Sequence, residues 1–134
     1  MKLKCVLLID DDEIINFLNH HVLSDTGIAQ SIEIVETVKD ALQLLENREV
    51  EGCSIPELIF LDLNMPGLNG WDFIEEYKKI KNAHGLNCVI VVLTTSVNPD
   101  DNKKANQISE IAEFRSKPMT YEMIHEIVHK YFAA

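Results

Sequence analysis

The chain has 134 residues, 46% hydrophobic and 25% charged, which suffices for one ordinary core and leaves no room for a second, so residues 1–134 read as a single domain. Its formal net charge of -10 excludes sequence-independent nucleic-acid binding, which rests on basic side chains neutralising phosphates, and favours proteins, metal ions or basic patches as partners. Asp10, Asp11 and Asp12 cut short the one signal-peptide-like stretch, at the start, and no other run approaches membrane-spanning length, so the expected location is the cytoplasm.

Leu3 to Ile9 predicts a first strand, nearly all apolar in its second half and therefore central. Ile14, Ile15, Leu18 and Val22 then predict a helix with that stripe buried, capped by Asp12 and ended by Gly27. Ser31 to Glu36 alternates as a half-exposed edge strand does. Thr37 to Asp40 has the form of a capping box opening a second helix, with Val38, Ala41, Leu42 and Leu45 inward. Residues 46–57 are the most polar connection and are expected to be a surface loop.

Leu58 to Leu61 is a short uninterrupted apolar run, the pattern of a strand covered on both faces, and Asp62 stands where it stops. Pro66, Gly67 and Gly70 require the backbone to turn and lie open there, so Asp62 is expected to be an exposed, chemically available carboxylate. Asn69 and Asp72 cap a third helix that turns Phe73, Ile74, Tyr77 and Ile80 inward and stops before Gly85. Cys88 to Leu93 predicts another central strand, followed by Thr94, Thr95 and Ser96. Asn98-Pro99-Asp100-Asp101 combines a cap, a proline at the first helical position and acidic residues in the first turn. That fourth helix is expected to bury Ala105, Ile108 and Ile111. Ala112 to Ser116 is the fifth strand, ending at Lys117-Pro118, and Thr120 starts a last helix with Ile124, Ile127, Val128 and Tyr131 inward. Cys5, Cys53 and Cys88 are widely spaced, form no Cys-x-x-Cys and read as neutral thiols. His20, His21, His125 and His129 read as solvated, and Trp71 as a partly exposed packing residue.

Five strands alternating with five helices imply an α/β fold, a parallel sheet covered on both faces. Right-handed crossovers bring every strand's carboxyl end to one rim, where ligands bind in open sheets. Asp10, Asp11, Asp12, Asp62, Thr94 and Lys117 all fall at that rim. Clustered carboxylates need a cation or a raised pKa to coexist, and hard oxygen ligands with room for water favour Mg²⁺. A divalent cation, an ammonium, a hydroxyl and a carboxylate together suit phosphoryl chemistry, with Asp62 as the nucleophile that becomes an acyl phosphate.

Leu-Leu-Ile-Asp10-Asp11-Asp12-Glu13, Phe-Leu-Asp62-Leu-Asn-Met-Pro-Gly, Val-Val-Leu-Thr94-Thr and Ser-Lys117-Pro118 occur in this order at successive strand ends. On these motifs the chain resembles the receiver domains of two-component response regulators, over essentially its full length. The resemblance implies a doubly wound, flavodoxin-like sheet of order 2-1-3-4-5 with five helices on both faces. It implies that Asp62 is phosphorylated, that Asp11, Asp62 and the backbone carbonyl of Asn64 bind Mg²⁺ directly, and that Asp10 does so through water. Lys117 would contact the phosphoryl group, with a cis bond to Pro118, while Thr94 and Phe114 would form the switch. The expected partners are a sensor histidine kinase or histidine phosphotransfer protein and a downstream protein bound by the face of helix 4, strand 5 and helix 5. The domain would stand alone, as a monomer or a phosphorylation-dependent dimer, and perform no chemistry beyond its own phosphorylation and dephosphorylation.

Four departures accompany the resemblance. Phe114 stands where Tyr is commoner, Arg115 and Ser116 are polar for that strand, and Glu110 replaces a common Gly. Asn64 and Ser96 occupy positions that tune phosphate lifetime in the family. The competing enzyme reading is a haloacid-dehalogenase-like phosphohydrolase with Asp62 as nucleophile, but such enzymes carry a second Asp two residues later, where this chain has Asn64.

Overall fold

The computed structural model describes residues 3–51, 55–95 and 98–132. Its elements alternate as β1 (Leu3–Ile9), α1 (Glu13–Thr26), β2 (Ala29–Val35), α2 (Val38–Glu51), β3 (Leu58–Leu61), α3 (Gly70–His84), β4 (Val89–Thr94), α4 (Pro99–Asn106), β5 (Ile111–Ser116) and α5 (Tyr121–Phe132). All strand pairs are parallel, in the order β2-β1-β3-β4-β5. The parallel sheet expected from the residues, in the 2-1-3-4-5 order that the resemblance implies, is therefore present.

Strand periodicity splits the core into two layers. Leu7, Ile9, Ile59, Leu61, Ile90 and Val92 belong to the layer covered by α2, α3 and α4. The alternate residues Val6, Leu8, Phe60 and Leu93 meet Leu23 of α1 and Ile124 of α5. Each such side chain, removed from water, contributes about 1.5–3 kcal/mol, and their alternation fixes which way each strand end points. The helix signals also hold locally. Asp12 caps α1, accepting from the amides of Ile14 and Ile15, and Gly27 closes it at φ +66°. Asn69 and Asp72 form a reciprocal capping box on α3, and Asn98 caps α4 ahead of Pro99.

Three expectations are corrected. The predicted buried stripe of α1 faces outward: Ile14 and Leu18 are 71% and 52% exposed, and Ile15 and Val22 are only half-buried. Asn16, Asn19 and Leu23 meet the sheet instead. Hydrophobic periodicity selects the most apolar face, whereas the rotation of α1 is set by its Asp12 cap and by the amide of Asn16 reaching back to the Asp10 carbonyl at 2.8 Å. Residues 46–51 are not loop but the end of α2, because no Gly or Pro interrupts them and Arg48 pairs with Glu33 of β2. Ile111 begins β5 rather than lying under α4, and Ile108 follows that helix. The register between β4 and β5 slips beside Ala112, so that Phe114 lies opposite Val92 and Ser116 opposite Thr94.

Cys5 and Cys88 are buried free thiols, each pushed up by burial; Cys53 and Ser96 lie outside the described residues. Glu110 needs no glycine-like backbone, since no non-glycine residue among those described has positive φ. Its carboxylate lies 3.6 Å from Lys81.

Candidate functional site: an acidic cluster with one lysine

The register Ile9↔Leu61 places the residues that follow, Asp10 and Asp62, beside one another, and the Asp62 amide donates to the Ile9 carbonyl at 3.0 Å. Both carboxylates are buried, at 5% and 6% exposure, and Asp11 projects into solvent. Asp62 is thus not the exposed group that its turn-rich sequence suggests. The chain after it folds back, burying Leu63 and Met65, and α3 begins against its own carbonyl.

Lys117 reaches the pair from the opposite end of the sequence. Its Nζ donates to Asp10 Oδ2 at 2.7 Å and lies 3.5 Å from Asp62 Oδ1. It is held there by its amide, which donates to the Thr94 carbonyl at 2.9 Å, and its bond to Pro118 is cis. The second oxygen of Asp10 accepts from the Asp12 amide at 3.0 Å. Burial raises the Asp62 carboxyl above the usual range and the charge of Asp10 raises it further, while Lys117 and the Asn64 amide only partly offset them. Burial alone would lower the Lys117 ammonium, but the two carboxylates prevail and keep it above the usual lysine range.

Carboxylate oxygens of Asp10, Asp11 and Asp62 lie within 4.8 Å of one another. This all-oxygen set, with Asp11 open to water, fits a hard divalent cation that retains part of its hydration shell. Thr94 is fully buried at the end of β4, and Asn64 is exposed two residues after Asp62. Phe114 is half-buried against the core under α2, α3 and α4. The predicted residues Asp10, Asp11, Asp62 and Lys117 therefore meet at one point. The four histidines His20, His21, His125 and His129 lie exposed on helices α1 and α5.

Two roles escaped sequence reading. Gly70, read only as part of an open turn, is one: a Cβ there would lie 2.7 Å from the Asp62 carbonyl oxygen, so this glycine permits α3 to start against the site, and its position directly after the capping Asn69 was the available signal. Asn16 is the other, hidden because an amide in a helix ordinarily reads as surface.

Residues 6–129 match the response regulator receiver domain. A two-component response regulator from Cytophaga hutchinsonii has the same fold with a TM-score of 0.89 and 32% identity, covering 97% of each chain. Response regulator Rcp1 of Synechocystis is 34% identical over 99 residues, 73% of this chain and 66% of that protein. The structure of the Mn²⁺-bound form of response regulator Rcp1 aligns with a TM-score of 0.73 at 25% identity, over 96% of this chain and 94% of that one. Among other curated relatives, the chain spans 79% of the probable methanogenesis regulatory protein FilR2 of Methanothrix harundinacea, but only 12% of a histidine kinase of Oryza sativa.

The chain belongs to the response regulator receiver domain family, a signalling family of two-component systems. The phosphohydrolase reading finds no support in these relationships.

Proposed function

We propose that Asp62 accepts a phosphoryl group from the histidine of a sensor kinase or phosphotransfer protein. The observation that carries this is the convergence of three carboxylates and Lys117 on one point of the sheet's carboxyl rim. Asp11, Asp62 and the Asn64 carbonyl would hold Mg²⁺ directly and Asp10 through water; the cation supplies neutralisation of charge on the transferring group. Asp62 Oδ attacks phosphorus as the bond to the donor nitrogen breaks. Lys117 neutralises a phosphoryl oxygen, turning from the carboxylates it now contacts, and the Thr94 hydroxyl donates to another. The domain carries no turnover beyond loss of its own phosphoryl group, and it acts in the cytoplasm as one domain over residues 1–134.

Phosphorylation then shifts the population between two states of the face formed by α4, β5 and α5, to which a downstream protein binds. Phe114, packed partly in the core, moves with Thr94 by packing alone. At the other side of the site, Ile14, Phe17 and Leu18 form an exposed apolar ridge on α1, adjoining the acidic rim and suited to receive the phosphodonor protein.

Incubation with Mg²⁺ and a small acyl phosphate decides the central point by intact mass. One base-labile phosphoryl group is expected on the parent chain and none on Asp62→Asn. Equal labelling of the Asn variant would place the acceptor elsewhere.

A further inference from the structure

Helix α1 presents amides to the sheet where aliphatic side chains are usual. Burying an amide is unfavourable unless it is hydrogen-bonded. Asn16 is 4% exposed, and its Nδ2 donates to the backbone carbonyl of Asp10 at 2.8 Å. That bond also fixes the amide's orientation, because a carbonyl only accepts and must face the NH₂ end. The Oδ1 end is then directed away from Asp10's carbonyl, fully buried and without a hydrogen-bond partner among the described residues. Asn16 lines a cavity of about 10 Å³ together with Asn19, Asp10, Asp62, Phe60 and Leu93.

That volume is close to one water molecule's requirement. The apolar walls have no donor for an amide oxygen, and ionised carboxylates have none either. Water can donate to Asn16 and to a carboxylate at once, and Asn19 offers a further polar group on the same wall. Asp10 is otherwise held on every side: its amide donates to Val35 O at 3.2 Å, and its carboxylate accepts from Asp12 and Lys117. Asn16 supplies the constraint on its carbonyl.

We propose that Asn16 is a positioning residue for the cation and phosphoryl site, clamping the Asp10 backbone with its NH₂ group and seating one water against the Asp10–Asp62 pair with its carbonyl. Helix α1 thereby sets the floor of the acidic pocket. The inference rests on the reading of that pocket as a Mg²⁺ site.

The test compares the parent chain with Asn16→Leu, which has similar volume and no polar group, and Asn16→Ser, which keeps a hydroxyl. Calorimetric titration with MgCl₂ is expected to show about five-fold weaker binding for the Leu variant, the scale of one lost neutral hydrogen bond, and an intermediate loss for Ser. At subsaturating Mg²⁺ the phosphorylation rate should fall in the same order, Leu below Ser below parent, as occupancy of the cation site falls. Unchanged Mg²⁺ affinity in a folded variant overturns the proposal. On the unmodified protein, rotating-frame NMR cross-peaks between water and the Asn16 side-chain amide are expected, and their absence overturns it independently of whether either variant folds. If the parent chain itself gives no Mg²⁺ heat and no amide shifts near Asp11 and Asp62, the reading of the pocket fails, an outcome distinct from parent and variants binding equally.

Discussion

Gly70 touches Asp62 through the absence of a side chain: a Cβ placed there would stand 2.7 Å from the Asp62 carbonyl oxygen and 2.9 Å from the Leu63 Cα. Both obstacles are backbone, so neither can rotate away. Gly70→Ala is expected to lose about 1–3 kcal/mol of stability by overpacking and to slow phosphorylation by shifting the Asp62 backbone. Gly67 has φ +75° but open space around it, so Gly67→Ala should cost only about 1–2 kcal/mol of backbone strain and leave Asp62 in place. Urea denaturation with acyl-phosphate labelling on both variants separates the two; equal labelling rates would show that Gly70 does not position the acceptor.

Lys117 is 2.7 Å from Asp10 and 3.5 Å from Asp62, so one ammonium serves two buried carboxylates and the nearer one holds it. Asp62→Asn removes a repulsion while leaving the shorter ion pair. Without divalent cation, that variant should be more stable than the parent near neutral pH, by on the order of 1 kcal/mol. Added Mg²⁺ should then stabilise the parent more, since it binds the folded acidic site. Thermal melts with and without MgCl₂ read both effects, and a less stable Asn variant in EDTA would contradict them.

Phe17 is 71% exposed on α1 between Ile14 and Leu18. Replacing it by Ser should move stability by no more than about 0.5 kcal/mol, as at other surface positions. If the ridge receives the phosphodonor protein, transfer from a phosphohistidine partner falls while labelling by a small acyl phosphate stays unchanged. Loss of both rates together would point to damage at the site itself.

Glu113 gives the acid side of the stability profile. Burial would raise its carboxyl, but Arg115 at 2.6 Å, Tyr131 at 2.9 Å and Lys130 at 3.3 Å outweigh it and hold it below the usual glutamate range. A depressed carboxyl binds fewer protons in the folded chain than in the unfolded one. Its contribution is complete above the ordinary glutamate range and is lost as pH falls through the depressed folded value. Glu113→Gln should therefore be less stable than the parent at about pH 7, with the gap closing below about pH 4. Denaturant midpoints across that interval check the sign; a gap independent of pH would remove the ionic explanation.

Local chemistry was legible in the sequence because it acts over a few residues. The apolar runs at Leu3–Ile9 and Leu58–Leu61 became central strands, and Asp12, Asn69 and Asn98 became caps because each needs only the amides two or three positions ahead. Alternation of strand and helix then sufficed to gather Asp10, Asp11, Asp62 and Lys117 at one rim. Polarity misled at residues 46–51, since helix formers without a breaker continue a helix whether or not it is buried.

What only the tertiary structure decided depends on contacts between distant segments. The rotation of α1 follows from its Asp12 cap together with the Asn16 amide meeting the Asp10 carbonyl, so the more apolar stripe was free to face solvent. The burial of Asp62 accompanies its place beside Asp10 and Lys117, on a cavity shared with Asn16 and Leu93, none of which the turn residues Pro66 and Gly67 foretell. The division of Lys117 between two carboxylates joins three distant segments, the pair with Asp10 lying 107 residues apart along the chain, and across such separations periodicity specifies neither distance nor direction.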